Sequence, residues 1–152
     1  MDYNQIFRIS AAGMAVEKAR VDVAAQNIAN MHTTRTAAGG PYSPLRVVTR
    51  SAVLPRQSFE AQLDAQGQSM GAIQLSAPQV AGVVATGAAP RMQHDPGHPD
   101  ADAAGMVAYP AVNQVNEMLT LVTAMRAYEA NVTALNAAKV MTVKALEIGS
   151  SN

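Results

Sequence analysis

Proline and glycine are distributed very unevenly along this chain of 152 residues. All eight prolines lie between Pro41 and Pro110, and eight of the ten glycines fall in nearly the same stretch. The flanks, roughly residues 3–31 and 111–148, contain no proline and one glycine, Gly13. Because proline breaks helices and glycine weakens them, the flanks are predicted to form two long helices around an insert of a different kind.

The insert has the pattern of short strands. Leu45–Arg50 and Val80–Thr86 are rich in β-branched residues and bounded by glycine or proline, and Ile73–Leu75 is a third candidate. We expect loops over residues 31–44 and 55–72. The predicted fold is therefore mainly α with a small β insert, and its parts are the N-terminal helix of 1–34, the irregular or β-hairpin insert of 35–110 and the C-terminal helix of 111–152.

The N-terminal flank carries two apolar series at helical spacing. Residues seven apart form each series: Phe7, Met14, Val21 and Ile28 in the first, and Ile9, Val16 and Val23 in the second. The two series lie about 200° apart around a helix, so the helix is predicted to have neighbours on two sides. Those neighbours are either a partner helix and the insert of the same chain, or other chains of an assembly.

The C-terminal flank carries a long apolar stripe. It comprises Val115, Met118, Val122, Met125, Val132 and Leu135, widened by Leu121 and Tyr128 and extended by Leu146. A helix of ~36 residues would be roughly 54 Å long, which a small domain cannot cover. We therefore predict that the two flanks pair as a coiled-coil-like hairpin and that the uncovered length faces other subunits.

The composition also favours burial on partners. Alanine supplies 30 residues, whereas Val, Leu, Ile and Phe together supply only 31, a share near the level at which chains stay disordered. A formal net charge of zero argues against a strongly basic nucleic-acid binder. The absence of cysteine excludes disulfides, thiolate metal sites and cysteine nucleophiles.

No constellation in the sequence predicts catalysis. His94 and His98 have the spacing of a zinc-binding helix, but the prolines and glycine around them prevent that helix. Asp100 and Asp102 resemble the start of a calcium loop, but alanine occupies later ligand positions. We predict no enzymatic activity, no cofactor and no metal site. A small metal-dependent enzyme that uses the two histidines remains an alternative.

The N-terminus lacks the features of a cleavable signal peptide. It has no basic n-region, and Arg8, Glu17 and Lys18 interrupt any apolar core. No stretch reaches the ~18 uncharged apolar residues of a membrane span. We expect a protein that is either cytoplasmic or exported by a route that keeps its N-terminus.

Motifs at opposite ends of the chain resemble those of a known family. Near the N-terminus, Ala25–Asn30 followed by Thr33 resembles the signature A-x-N-(L/I)-A-N-x-x-T. Near the C-terminus, Asn116–Met118, Met125–Asn131 and Leu146–Gly149 are similar to a characteristic closing helix. Together these motifs resemble the bacterial flagellar rod and hook axial proteins.

The middle of the chain resembles the proximal rod members of that family, through Pro41–Val48, His94–Asp102, Gly105–Val107 and Pro110–Asn113. The resemblance implies a structural subunit of a helical, tubular rod that crosses the periplasm and transmits torque from rotor to hook. It implies export by the flagellar type III apparatus without a cleaved signal. The implied partners are copies of the chain, the rod proteins FlgB, FlgF and FlgG, a FliE-like adaptor and the export apparatus, with no nucleic acid, membrane span or small-molecule substrate.

We expect side chains of the two helices to form the assembly interface. Apolar residues would pack there, and the amides of Asn27, Asn30 and Asn131, with Tyr128, would set the register. The expected set is Phe7, Met14, Val21, Asn27, Ile28, Asn30, Met118, Val122, Met125, Tyr128, Asn131, Val132, Leu135 and Leu146. The other alternative is a soluble coiled-coil adaptor, which would form a cooperatively folded dimer when purified.

Overall fold

The computed structural model describes residues 3–54 and 75–150 of the chain. In chain order the elements are the helix α1 (Tyr3–Ala29), the strands β1 (Leu45–Val53), β2 (Ser76–Ala85), β3 (Arg91–His94) and β4 (Met106–Tyr109), and the helix α2 (Gln114–Ser150). Two long terminal helices thus enclose a middle of two small antiparallel sheets, which confirms the predicted fold class.

The two helices pack side by side in opposite directions. At 1.5 Å per residue, the 27 residues of α1 span about 40 Å and the 37 residues of α2 about 55 Å. Three residues seven apart lie on the side of α2 that faces α1, because Ala124 and Ala138 are buried and Asn131 lies opposite Gly13. Small side chains let the two backbones approach closely.

Helix α1 lies between α2 and the first sheet, with contacts to α2, β1 and β2. Val16 and Val23 of the second apolar series are buried, whereas Phe7 and Met14 of the first are half-buried. The two opposed series therefore have an explanation within one chain, which was the first of the two alternatives. The first series still leaves surface for further contacts.

Strands β1 and β2 form a two-stranded antiparallel ribbon, in register from Leu45 opposite Ala85 to Val53 opposite Ser76. A bulge between Val48 and Thr49 shifts the register by one residue. Both predicted strands are confirmed, and each is longer than predicted. The predicted loop over 55–72 and most of the third strand candidate lie outside the described residues.

Strands β3 and β4 form a second hairpin that the sequence pattern did not predict. Each has four residues, and the segment between them turns through two Asx-type bonds in which Asp102 Oδ1 accepts the amides of Ala104 and Met106, each at 2.8 Å. Gly105 has a φ of +71°, a conformation that favours glycine. Strands this short show no alternation that a sequence pattern could reveal.

The start of α2 is capped by its own sequence. Asn113 Oδ1 accepts the amide of Asn116 at 3.1 Å, which satisfies one orphan donor of the first turn. Glu117 places a negative charge in that turn, where the helix dipole favours it.

Among the described residues, neither helix combines the length and hydropathy that a bilayer span requires.

The close approach of Gly13 to Asn131 predicts a coupled pair of substitutions. An alanine Cβ at position 13 would lie 2.9 Å from Asn131 Oδ1, while Asn131 Nδ2 donates to the Ala127 carbonyl at 2.9 Å. Gly13→Ala is therefore expected to destabilise the hairpin by about 1 kcal/mol, because overpacking outweighs the better helix propensity of alanine. In an Asn131→Ala background the same change is expected to stabilise by about 1 kcal/mol. Urea unfolding of the four proteins measures both effects, and equal effects in the two backgrounds would contradict the close packing.

Candidate assembly surface

Helix α2 leaves many of its large apolar residues exposed, and the two side chains that are buried among those described in it are alanines. Met118, Val122 and Met125 are 48%, 53% and 48% exposed, whereas Ala124 and Ala138 are buried. On a helical wheel the exposed stripe lies roughly opposite the buried alanines. An ordinary surface helix has the reverse arrangement, so α2 presents an apolar face that residues 3–54 and 75–150 leave exposed.

The structure places the fourteen expected interface residues in three environments. One, Asn27, is buried in the chain. Five are exposed, and the other eight are half-buried. The exposed group is Met118, Val122, Met125, Tyr128 and Leu146, and the half-buried group is Phe7, Met14, Val21, Ile28, Asn30, Asn131, Val132 and Leu135.

The exposed apolar surface is wider than the predicted stripe. Leu119, Val140 and Met141 are also about 60% exposed on α2, and Val83 and Val84 are half exposed on β2. The sequence indicated this wider surface on α2, because Leu119, Val140 and Met141 are apolar and lie outside the stripe with 3/4 spacing. A helix that is apolar on several sides is typical of a helix buried by several neighbours.

Asn27 joins α1 to the start of the first sheet. Its Oδ1 accepts the Leu45 amide at 2.9 Å and the Tyr42 hydroxyl at 2.9 Å, and its Nδ2 donates to the Leu45 carbonyl at 3.0 Å. Asn27 is only 1% exposed. Its side chain fixes the register between α1 and β1 within the chain. The predicted register role across packed helices is not what Asn27 performs here.

The Tyr42 hydroxyl is a dependable donor to this amide. Burial raises the pKa of Tyr42 above its ordinary value, and the negative charge of Glu117 raises it further. Both effects favour the protonated hydroxyl that donates to Asn27. Since Glu117 belongs to the first turn of α2, Asn27 and its partners Tyr42 and Leu45 lie near the start of that helix.

The other two asparagines of the expected set bond locally. Asn30 Nδ2 donates to the Gln26 carbonyl at 2.9 Å, and its Oδ1 accepts the Thr33 hydroxyl at 3.2 Å. Asn131 lies in the interface between the helices, opposite Gly13. The signature near the N-terminus is thus explained by the way α1 ends and turns toward β1.

The histidines hold loops together. The rings of His32 and His98 each contact the Tyr109 ring edge to face, with centroids 6.5 and 6.0 Å apart. His98 Nδ1 accepts the Asp100 amide at 3.1 Å, and Asp100 Oδ2 accepts the Thr34 hydroxyl at 2.8 Å. These contacts attach the β3–β4 hairpin to the loop that follows α1.

Over the two described stretches, no three His, Asp or Glu side chains form a group that could hold a metal ion. Asp102 uses its carboxylate to close its own turn, and Asp100 contacts Thr34 and Arg35. A pair of long terminal helices with an apolar face that the described residues leave exposed is typical of a structural subunit that is covered by partner chains.

Comparison with known proteins identifies the family. Residues 103–148 match the family described as "Flagellar basal body rod FlgEFG protein C-terminal". The chain is 38% identical to the flagellar basal-body rod protein FlgC of Bacillus subtilis (strain 168), over 93% of this chain and 94% of that protein. It is 34% identical to FlgC of Salmonella typhimurium, over 95% and 96%, and 34% identical to FlgC of Borreliella burgdorferi, over 92% and 93%.

The chain belongs to the FlgC family of flagellar basal-body rod proteins. It is therefore a structural subunit of the flagellar rod, and the predicted resemblance is confirmed. Members of this family are structural proteins and not enzymes, so the metal-dependent enzyme is set aside, and the rod subunit is favoured over the coiled-coil adaptor.

Proposed function

We propose that this subunit assembles through its terminal segments, residues 1–34 and 111–152, into the inner tube of the rod. The insert of residues 35–110 then faces outward or contacts neighbouring subunits. In this arrangement the rod crosses the periplasm as a hollow helical shaft that transmits torque from the rotor to the hook. The exposed and half-buried members of the expected interface set are the proposed contacts, whereas Asn27 is buried within the chain.

The exposed apolar face of α2 is the observation that supports this proposal. Val122 at its centre is 53% exposed, and Leu119 beside it is 61% exposed. Covering a side chain of this size is worth about 1.5–3 kcal/mol when burial is complete. The exposed face runs along a helix of about 55 Å. Burial of this face by neighbouring subunits would therefore supply the free energy that drives assembly.

Assembly is proposed to be coupled to ordering of the helices. Few large side chains are buried among the described residues, and small residues such as Gly13, Ala124 and Ala138 contribute to the contact between α1 and α2. Such a contact offsets only part of the entropy lost when the helices are fixed. Burial between subunits supplies the remainder, and many weak contacts per subunit resist twist.

The specific partners follow from the same proposal. Copies of this chain and other flagellar rod components share the assembly, and we infer that FlgB, FlgF, FlgG and a FliE-like adaptor are the neighbours. We also infer export by the flagellar type III apparatus without a cleaved signal. The reason is that the N-terminal segment is proposed to form part of the rod and must therefore be retained.

Deletion of the gene and its restoration test this function. Cells without the chain are expected to make basal bodies that lack a complete rod and not to swim, and the wild-type chain is expected to restore both. Electron microscopy of isolated basal bodies measures the rod. Complete rods in the deletion strain would contradict the proposal, and so would a purified chain that forms a stable, cooperatively melting dimer by light scattering and circular dichroism.

A further inference from the structure

One side of the exposed surface of α2 is apolar and carries an acid. At about 100° per residue, Met118, Met125, Glu129 and Val143 lie within about 40° of one another around the helix. Met118 and Met125 are each 48% exposed, Val143 is 46% exposed, and Glu129 is exposed as well. We call these four residues the anionic flank.

A second side of α2, about 100° further around the helix, is apolar and carries a base. Leu119, Arg126 and Met141 lie there within about 60° of one another. Leu119 and Met141 are 61% and 59% exposed, and Arg126 is also exposed. We call these three residues the cationic flank. Ala130 and Ala137 lie between them on the same side, and their small side chains do not obstruct it.

The charges at the middle of the two flanks have no ion-pair partner among residues 3–54 and 75–150. Neither Arg126 nor Glu129 belongs to an ion pair there, although only three residues separate them on α2. Lys144 and Glu147, further along the helix, are already joined to each other at 2.9 Å, so they are left out of the contact. The middle of α2 therefore presents an unpaired cation on one flank and an unpaired anion on the other.

Parallel copies placed side by side bring the unlike flanks together. One chain cannot do this, because both flanks belong to the same helix. When the next copy is displaced by three residues, about 4.5 Å along the axis, its Glu129 is level with Arg126 of the first copy. Leu119 of the first copy is then level with the gap between Met118 and Met125 of the next, which is the packing of a knob in a hole.

We propose that the α2 helices of neighbouring copies pack side by side and parallel, with Arg126 of each copy paired to Glu129 of the next. This inference rests on the proposed assembly of the subunit into a rod and names one of its contacts. Different flanks meet, so the contact is heterologous, and its repetition generates an open helical assembly. The charges select this direction, because antiparallel copies would set like flanks, and therefore like charges, against each other.

Disulfide formation in assembled rods tests this contact. The chain has no cysteine, so Arg126→Cys and Glu129→Cys each introduce a single thiol. Full-length chains with either substitution are produced together in a deletion strain, and isolated basal bodies are oxidised. The expected product has twice the subunit mass of 15.9 kDa and joins position 126 of one copy to position 129 of another. A disulfide requires Cα atoms within about 7 Å, so it reports direct contact.

Two controls show whether the contact is specific. Each cysteine variant alone is expected to give no dimer, because equivalent positions of neighbouring copies are separated by the width of a helix, about 10 Å. Arg126→Cys produced together with Lys139→Cys is the matched control. Lys139 is exposed on the same helix but lies ten residues beyond Glu129, about 15 Å along the axis, so no dimer is expected.

The outcomes separate this inference from the proposed function. Rods that assemble but give dimers from either variant alone, or no dimer from the two together, would overturn the contact between flanks and leave the function intact. Failure of the wild-type chain to restore rods would instead contradict the proposed function.

If the cysteine variants do not assemble, exchange of the two charges decides. Arg126→Glu and Glu129→Arg, made singly, each set like charges against each other and are expected to abolish swimming. The double variant restores the pair between copies and is expected to restore swimming. Circular dichroism spectra of the purified variants are expected to match the wild type, which assigns the loss to assembly and not to folding. Swimming by both single variants, or no recovery in the double variant, would overturn the proposal.

Discussion

Cells that carry Val122→Asp in place of the wild-type chain are expected not to swim, although the isolated variant keeps its fold. Val122 is 53% exposed in the chain, so the carboxylate stays in water until subunits assemble. On assembly it would be buried without a partner, at a cost of several kcal/mol per contact. A loss of about 3 kcal/mol weakens each contact more than 100-fold. Swimming assays and electron microscopy of basal bodies measure the effect.

The matched control is Val122→Ala, which removes apolar surface and adds no charge. This variant is expected to lose about 1 kcal/mol per contact and to retain rods. Circular dichroism spectra of both purified variants should match the wild type. Normal swimming by the Val122→Asp strain would contradict the assignment of this face to assembly.

Charges at Val21 or Val132 would also be expected to abolish assembly. Both residues are half-buried in the chain, so a loss of folding would add to the effect.

Asn27→Ala is expected to detach the start of β1 from α1. The substitution removes both hydrogen bonds to Leu45 and the one from Tyr42, and it leaves these half-buried partners without the Asn27 amide. A hydrogen bond contributes about 0.5–1.5 kcal/mol net, so the loss of all three is expected to cost about 2–4 kcal/mol. Hydrogen exchange of the Leu45 amide, which Asn27 protects directly, should accelerate at least 100-fold.

Two further variants define this effect. Asn27→Asp keeps the acceptor for the Leu45 amide and the Tyr42 hydroxyl but loses the donor to the Leu45 carbonyl, so an intermediate effect is expected. Asn30→Ala removes more exposed bonds to Gln26 and Thr33, and a loss of about 1 kcal/mol is expected. An Asn27→Ala effect no larger than that of Asn30→Ala would contradict the role of Asn27 in joining helix and strand.

The terminal helices were predictable because their signal is local. The absence of proline and the 3.6-residue periodicity depend only on neighbouring positions, and so do the β-branched runs of β1 and β2. The β3–β4 hairpin was not predictable, because four-residue strands carry no period and their pairing depends on a turn closed by Asp102 and Gly105. The backbone geometry of that turn becomes visible only when the chain is folded.

The face by which the helices pair was also not predictable from hydropathy. Large apolar residues ordinarily mark the contact between paired helices. Here Gly13, Ala124 and Ala138 make the close contact, while Met118 and Val122 stay exposed. Periodicity shows which residues share a face, but it does not show whether the partner is α1 or another subunit. The role of Asn27 was missed for a related reason, because its partner Leu45 lies 18 residues away in the sequence.

Hydrogen exchange measured on the free subunit and on assembled rods tests most directly whether neighbouring subunits supply the order of the terminal helices. In the free subunit, amides of the first turns of α1 and of residues 132–150 are expected to exchange rapidly, whereas amides near Asn27 and Leu45 stay protected. In rods, the terminal amides are expected to become protected by at least about 100-fold. Strong protection along both helices in a monomeric, sharply melting subunit, with no further gain in the rod, would contradict this account.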